Sequence, residues 1–271
     1  MKVFCILSDE RVYSSKSPAM FTRVLQRVGI QAAYVPFKVE PQNVGLALQS
    51  LKILNIAGAN VTVPYKETVI PYLDALSEGA NIIGAINTIV CSGNSLKGYN
   101  TNAIGVMDAL NSAGFEVAGK SALVFGTGGA AKAVVFMLNW LRAGDIRVAG
   151  RSPEQAAAVA ERFEVDAVSI EELPERPVAA DIVVNATSVS SPLEAPDLAL
   201  LAQNLQLPRC RLVLDLNYGR SQNFWRDMAC RQDIQFMDGL PALAYQARRT
   251  FALWTKVQVD AAEFLNALQE S

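Results

Sequence analysis

The sequence contains no histidine. Imidazole is the commonest general base near neutral pH, so its absence argues against Ser-His-Asp and Cys-His nucleophile systems and against histidine-dependent dehydrogenases. Proton transfer near neutral pH must then fall to another side chain. Lys66 is our leading candidate, because it follows a short apolar run that is typical of the end of a buried strand.

Cysteines, basic clusters and long apolar runs are also scarce. The sequence has four cysteines, none in a CxxC pair, and without histidine a zinc site would be unusual. We therefore expect no metal, and we interpret the cysteines as small buried residues in a reducing cytoplasm. The net charge is −2, and no block of lysine or arginine indicates nucleic acid or a membrane as partner. The apolar segment 3–7 is too short for a membrane span or a signal-peptide core.

The chain has enough apolar residues for a large core. Of its 271 residues 51% are hydrophobic and 18% are charged, which suits one large or two ordinary domains. As far as residue 102, short apolar strands alternate with helical stretches, and a hairpin signal at 91–94 predicts a mixed sheet. From residue 121, continuous apolar strands alternate regularly with helices, which predicts a parallel sheet covered on both faces.

The apolar periodicity gives specific element boundaries. The predicted strands are 3–7, 33–37, 56–61, 86–91, 95–99, 122–125, 146–149, 181–185, 212–216 and 235–237. The predicted helices are 18–28, 43–54, a shorter segment around 66–75, 130–141 and the region after residue 240. Ser17 is expected as N-cap of the first helix, with Pro18 as its first residue. We expect the C-terminal helical region to return to the first domain.

Polar side chains lie at the C-terminal end of the third predicted strand and just after it. Asn60, Thr62 and Lys66 come directly after the apolar run 56–59. Ligands bind outside the carboxyl ends of the strands in open α/β sheets. The sequence therefore predicts a binding site at this strand end.

Further polar groups stand at other element ends of the first half. Ser15 and Ser17 lie at the start of the first helix, where hydroxyls and free N–H groups suit a carboxylate or another anion; plain N-capping is the alternative. Asn87 and residues 100–102 lie at the ends of predicted strands, and each alone could be explained by turn chemistry.

The second half carries a candidate dinucleotide site. Gly126-Thr127-Gly128-Gly129-Ala130 separates a strand from a helix, where glycines allow the backbone to approach a pyrophosphate; a tight structural turn is the alternative. Arg151 and Ser152 stand where NAD-specific folds carry an acidic residue, which favours the 2′-phosphate of NADP. Thr187 and Ser188 follow a later strand and would face the cofactor, unless they only cap that strand.

Taken in order, these segments resemble the shikimate/quinate dehydrogenase family over essentially the whole chain. The matching segments are 15–18, 58–66, 84–88, 100–101, 126–130, 185–188, 215–218 and 239–246. The resemblance implies NADP-linked interconversion of 3-dehydroshikimate and shikimate in aromatic amino-acid biosynthesis. It implies an N-terminal α/β substrate-binding domain with a mainly parallel mixed sheet (1–102, joined by helices from 240–271) and a Rossmann-like NADP-binding domain (103–239).

The resemblance also implies roles for single residues. Ser15 and Ser17 would hold the substrate carboxylate, with Tyr218 nearby. Lys66 would transfer the proton. The groups that would bind ring hydroxyls are Asn60, Thr62, Asn87 and Gln246. The residues that would line the cofactor are Gly126, Thr127, Gly128, Gly129, Ala130, Arg151, Ser152, Thr187, Ser188 and Gly239.

The chain departs from the family pattern at its catalytic carboxylate. The family motif Asn-Thr-Asp-Gly here ends in Asn102 and Ala103. An amide can orient a substrate hydroxyl, but it cannot take a proton or stabilise an ammonium. If the carboxylate takes part in proton transfer, catalysis would weaken by ~10²–10⁴-fold. Gln155 replaces a second basic residue of many NADP-using members, so NAD stays an alternative cofactor.

Three other functions remain open at this point. A paralogue could act on quinate or another ring compound. A weakly active or inactive dinucleotide-binding protein would also fit Asn102. A one-carbon folate dehydrogenase shares the two-domain layout, but it would need a more aromatic pocket. We expect a monomer or homodimer with a small-molecule substrate.

Overall fold

The computed structural model describes residues 1–270. The chain divides into two compact units, residues 1–105 together with those from 243 onward, and residues 106–242. The boundaries expected from the sequence, after residues 102 and 239, lie a few residues earlier.

Both units combine strands with helices. The strands are β1 (Lys2–Ser8), β2 (Ala32–Lys38), β3 (Gly58–Val61), β4 (Ala75–Leu76), β5 (Thr88–Ser92), β6 (Ser95–Tyr99), β7 (Ser121–Phe125), β8 (Asp145–Ala149), β9 (Asp166–Val168), β10 (Ile182–Asn185), β11 (Leu212–Asp215) and β12 (Gln235–Met237). The α-helices are α1 (Ser17–Arg27), α2 (Val44–Ile53), α3 (Glu78–Ile83), α4 (Asn102–Ser112), α5 (Gly129–Trp140), α6 (Pro153–Phe163), α7 (Pro196–Asn204), α8 (Phe224–Arg231), α9 (Leu240–Thr255) and α10 (Ala261–Gln269).

The first unit contains a mixed six-stranded sheet in the order β2-β1-β3-β5-β6-β4. Strand β1 pairs in parallel with β2 and β3, whereas β5 runs antiparallel to both β3 and β6. The β5–β6 hairpin turns at Gly93, whose φ of 56° suits a residue without a side chain. The mainly parallel mixed sheet predicted from the sequence is confirmed.

The second unit contains a wholly parallel six-stranded sheet in the order β12-β11-β10-β7-β8-β9. Strands β10 and β11 are buried along their whole length, and β7 is buried from Ala122 onward, as their continuous apolar sequences require. Because the strands are parallel, the carboxyl ends of β7, β10 and β11 meet at one edge of the sheet. That edge carries the residues with a predicted cofactor role.

Two local predictions are wrong. No helix covers residues 66–75; turns lead into a short 3₁₀ helix (Ile70–Tyr72) and then β4. Pro71 lacks an N–H and disfavours helical geometry in the residue before it. Ser17 is not an N-cap: Lys16 holds that position and Ser17 is the first residue of α1. The Ser17 N–H donates instead to Ser15 Oγ at 3.2 Å.

The predicted burial of the cysteines holds only in part. Cys5 is buried, Cys91 and Cys210 are half-buried, and Cys230 is exposed; all four are free thiols. Burial raises the pKa of the Cys91 and Cys210 thiols to about 11, so both stay protonated near neutral pH. Within residues 1–270, no helix is long and apolar enough to cross a membrane.

Candidate active site

A cluster of uncharged polar side chains lies in the first unit, where β3 and β5 meet the start of α4. We call it the amide–hydroxyl cluster. It comprises Asn60, Asn87, Thr88, Thr101, Asn102, Gln246 and Thr250. All seven side chains are neutral, so a ligand at this cluster would be recognised by hydrogen-bond direction rather than by charge.

Asn87 is the centre of this cluster. Its Nδ2 lies 2.8 Å from Thr101 Oγ1, 2.9 Å from Asn102 Oδ1 and 2.9 Å from Gln246 Oε1. Its Oδ1 accepts from the Thr101 N–H at 2.7 Å. The Asn87 amide, which is almost fully buried, thereby fixes two expected site residues, Asn102 and Gln246, that lie on different helices.

Asn60 is held by the protein on both sides of its amide. Tyr34 donates its hydroxyl to Asn60 Oδ1 at 2.8 Å. Asn60 Nδ2 donates to the Asn87 carbonyl at 2.9 Å and lies 3.2 Å from Thr88 Oγ1. Both N–H groups are therefore engaged, and Oδ1 keeps one lone pair for a ring hydroxyl.

Among the described residues, Lys66 has no ion-pair partner of opposite charge. It is half-buried, and loss of hydration lowers the pKa of its ammonium to about 8. Within residues 1–270 its Nζ forms no hydrogen bond or ion pair with the protein. The Lys66 carbonyl accepts from the N–H of Ile86 at 2.8 Å, which ties this segment to the residue preceding Asn87.

Of the three serine and threonine hydroxyls expected to bind the substrate, one accepts a hydrogen bond within the described part of the chain and two form none there. Ser15 Oγ accepts from the Ser17 N–H, while the Ser17 and Thr62 hydroxyls form no hydrogen bond within the described residues. Thr62 is half-buried at the exit of β3. These two hydroxyls can therefore donate to a ligand without breaking a bond inside the protein.

Sequence analysis assigned no site role to three members of the cluster, Thr88, Thr101 and Thr250, although the first two lie in the matching segments 84–88 and 100–101. Thr88 and Thr250 lie 2.8 Å apart through their hydroxyls, although 162 positions separate them in the chain. A signal for Thr250 was present, because it follows Gln246 by four residues and so shares its face of a helix.

The glycine-rich turn of the second unit leaves space and free donors for an anion. Gly126 has a φ of 117°, and a Cβ there would lie 3.0 Å from the backbone of Ala186. A Cβ on Gly128 would meet nothing within 4 Å. Helix α5 begins at Gly129 without a side-chain cap, so its first N–H groups remain available to a phosphate.

Arg151 and Ser152 differ in whether their side chains already form hydrogen bonds within the protein. Arg151 is exposed and forms no hydrogen bond or ion pair within the described residues, so its guanidinium is free to pair with a phosphate. Ser152 caps α6: its Oγ accepts from the Gln155 N–H at 3.2 Å and donates to Glu154 Oε2 at 2.6 Å. Gln155 also accepts from the Thr127 hydroxyl at 3.1 Å.

Thr187 and Ser188 lie in the turn after β10. The Thr187 N–H and hydroxyl both donate to Asn185 Oδ1, at 3.1 and 2.7 Å, so this hydroxyl is used internally. Ser188 is exposed and forms no hydrogen bond among the described residues. The predicted cofactor contacts of this turn thus rest on Ser188 and on backbone groups.

Gly239 permits a close backbone approach at the same edge. Its N–H donates to the Asn217 carbonyl at 3.0 Å. A Cβ at this position would lie 2.2 Å from the Leu216 carbonyl oxygen. Tyr218 is half-buried in the neighbouring loop, and its carbonyl accepts from Arg220 at 3.2 Å.

These features define a class of protein. It is a two-unit α/β protein with a parallel-sheet nucleotide fold in one unit and a lysine with neutral amides in the other. The family model "Shikimate dehydrogenase substrate binding domain" matches residues 8–89. The model "Shikimate / quinate 5-dehydrogenase" matches residues 109–221. The chain therefore belongs to the shikimate/quinate dehydrogenase family.

Individual relatives match over most of their length. The chain is 37% identical over 276 residues to shikimate dehydrogenase (NADP(+)) of Moorella thermoacetica, covering 96% of this chain and 90% of that protein. It is 38% identical over 249 residues to the protein of that name from Thermococcus kodakarensis, covering 91% and 88%. The Thermus thermophilus shikimate 5-dehydrogenase, solved with NADP(H) and shikimate, has a TM-score of 0.86 at 33% identity, covering 100% of this chain and 99% of that one.

Proposed function

We propose that the protein is an NADP-dependent shikimate dehydrogenase that interconverts 3-dehydroshikimate and shikimate in aromatic amino-acid biosynthesis. The observation that carries the proposal is the half-buried Lys66 and its lowered pKa. Lys66 follows β3, and β3 contributes Asn60 to the amide–hydroxyl cluster. Family membership and the relatives that carry this activity in their names support the same reaction.

The chain's own residues would bind the substrate and move its proton. Ser15 and Ser17 would hold the carboxylate, while Thr62, Asn60, Asn87 and Gln246 would bind the ring hydroxyls. During reduction, the Lys66 ammonium would give a proton to the ketone oxygen as that oxygen gains electron density. During oxidation, the neutral Lys66 amine would accept the hydroxyl proton.

The second unit would hold the cofactor, which supplies or accepts a hydride when bound. The free N–H groups at the start of α5 and the space at Gly128 fit a pyrophosphate. The unpaired guanidinium of Arg151 fits a 2′-phosphate and thus favours NADP over NAD. Gly239, Ser188 and Thr187 would border the remainder of the cofactor. We further propose a cytoplasmic location and a monomer or homodimer.

NADPH oxidation with 3-dehydroshikimate tests the proposal. We expect turnover by the parent protein and none by Lys66→Ala, because no other described side chain of the cluster can donate a proton as an acid. Robust turnover by Lys66→Ala would contradict the role of Lys66. Turnover of quinate or another ring compound in place of shikimate would identify a paralogue with a different substrate.

Asn102 favours a second candidate, a dinucleotide-binding protein with weak activity. Its Oδ1 accepts from Asn87 Nδ2, and a carboxylate could accept the same bond. We therefore predict that Asn102→Asp folds normally and raises kcat by ~10²–10⁴-fold, if the family carboxylate takes part in proton transfer. Equal rates for the parent and Asn102→Asp would show that the amide serves as well as the carboxylate.

A further inference from the structure

Asp215 is a fully buried carboxylate in the second unit. It is the last residue of β11, and within residues 1–270 no lysine or arginine forms an ion pair with it. A buried charge without a cation is costly, unless hydrogen bonds replace the water that it has lost. Its partners are therefore informative about its role.

Three asparagines surround this carboxylate. Asp215 Oδ1 accepts from Asn185 Nδ2 at 2.8 Å, and from the N–H and Nδ2 of Asn217, both at 3.0 Å. Asp215 Oδ2 accepts from Asn223 Nδ2 at 2.7 Å. The four donors come from the end of β10, from the loop after β11 and from the N-cap of α8.

Two of these asparagines continue to the turn after β10. Asn185 Oδ1 accepts both the N–H and the hydroxyl of Thr187. Asn217 Nδ2 donates to the Thr187 carbonyl at 3.0 Å and to Ser190 Oγ at 2.9 Å. Asp215 thus fixes Asn185 and Asn217, and together they fix the backbone at Thr187 on both its N–H and its C=O side.

We infer that Asp215 is a positioning residue of the cofactor site, which sets the affinity for NADPH by holding the turn at residues 186–190 against the glycine-rich turn. The two turns are in close contact at Gly126, because a Cβ at this position would lie 3.0 Å from the backbone of Ala186. The inference rests on the proposed function, since it takes NADPH as the ligand. Asp215 itself contacts no ligand and is not a catalytic residue.

The variant Asp215→Asn tests this arrangement at constant size. The new amide keeps one oxygen for Asn185 and Asn217, but its NH₂ group faces Asn223 Nδ2, which is also a donor. Asn223 cannot turn its amide around, because its Oδ1 caps α8 by accepting from the N–H groups of Trp225 and Arg226. Losing a bond to a buried charged group should weaken NADPH binding roughly tenfold.

The exchange Asp215→Asn with Asn223→Asp provides the rescue. The amide at 215 then donates to the carboxylate at 223, which still caps α8 because aspartate is a good N-cap. We expect NADPH affinity to return close to that of the parent. Titration of NADPH fluorescence gives the affinities without turnover, and circular dichroism confirms that each variant is folded.

Asp181→Asn is the matched control. Asp181 is also buried in this unit, but it precedes the first residue of β10, at the opposite edge of the sheet from Asp215. Its Oδ2 accepts from the N–H of Ser121 at 2.9 Å and from its hydroxyl at 2.8 Å. The same chemical change there should leave NADPH affinity unaltered.

Steady-state kinetics provide a second readout. The KM for NADPH should rise in Asp215→Asn, with little change in kcat. Unchanged NADPH affinity in Asp215→Asn, equal weakening in Asp181→Asn, or no recovery in the exchanged pair would each overturn the inference. Failure of the parent protein to bind NADPH would instead contradict the proposed function and the inference with it.

Discussion

At the scale of single residues, the proposed proton transfer by Lys66 predicts opposite pH dependences for the two reaction directions. The pKa is about 8, so the ammonium needed for ketone reduction is lost as pH rises through 8. The neutral amine needed for oxidation is lost as pH falls through 8. We predict that kcat/KM for reduction falls above this pH and that kcat/KM for oxidation falls below it.

Lys66→Arg is the control for this pH dependence. A guanidinium stays protonated over the whole accessible range, so any residual activity of the variant should lose the inflection near 8. Parallel pH profiles of the parent and Lys66→Arg would assign the inflection to another group.

Two glycines should respond differently to the same substitution. A Cβ on Gly128 meets nothing within 4 Å, whereas one on Gly239 would lie 2.2 Å from a backbone oxygen. We predict that Gly128→Ala keeps the melting temperature of the parent but weakens NADPH binding, because the methyl group would occupy the space that we assign to a phosphate. Gly239→Ala should lower the melting temperature. A Gly128→Ala variant with normal NADPH affinity would contradict the assignment of this turn.

At the scale of elements, the sequence predicted strands better than the segments between them. The strand predicted at 95–99 has the same limits as β6, because its hairpin partner and turn residues lie next to it in the chain. The helix predicted at 66–75 was wrong because the prediction did not take into account Pro71, which lacks an N–H for helical hydrogen bonding. The break between α9 and α10 had a signal, since Asp260 caps α10 by accepting from the Ala262 N–H at 2.8 Å.

The candidate site was predictable as a set of strand ends but not as a set of contacts. Asn60 and Asn185 lie at the end of apolar runs and Asn87 lies near the start of one, so their placement at strand ends could be predicted from the sequence. Their hydrogen-bond partners could not, because the partner of Asn87 on α9, Gln246, is 159 positions away. The structure therefore shows which side-chain amides already form hydrogen bonds within the protein, and the sequence alone does not.

Helix α9 is anchored to the first sheet by Trp254. Its ring stacks on Phe4 with a centroid distance of 4.7 Å, and its Nε1 donates to the Ile89 carbonyl at 2.9 Å. We predict that Trp254→Phe lowers the free energy of unfolding by about 1–3 kcal/mol, because a buried carbonyl loses its donor. Chemical denaturation measures this loss.

Trp140→Phe is the matched control for Trp254, since Trp140 is 72% exposed. Its replacement should change the free energy of unfolding by less than about 0.5 kcal/mol. Similar losses in the two variants would show that ring size, rather than the buried hydrogen bond and stack, determines the effect.

At the scale of the whole molecule, the chain enters the second unit after residue 105 and returns to the first at 243. Each ligand should therefore protect its own unit in hydrogen exchange. NADPH should slow exchange in peptides that cover residues 126–130 and 186–190. Shikimate should slow exchange around residues 60–66, 87 and 246. Protection by NADPH that is confined to the first unit would contradict the proposed assignment of the cofactor to the second unit.

The three threonine hydroxyls of the amide–hydroxyl cluster have a consequence for how its hydrogen atoms are arranged. Thr88, Thr101 and Thr250 form a triangle with oxygen separations of 3.3, 2.8 and 3.1 Å, and within it either oxygen of each pair can be the donor. Thr101 gives its hydroxyl hydrogen to Gln246 Oε1 at 3.0 Å, so the Thr88 and Thr250 hydroxyls can exchange donor and acceptor roles by rotation of their O–H bonds while every heavy atom stays in place. X-ray maps at ordinary resolution would look identical for both arrangements, and neutron diffraction would distinguish them.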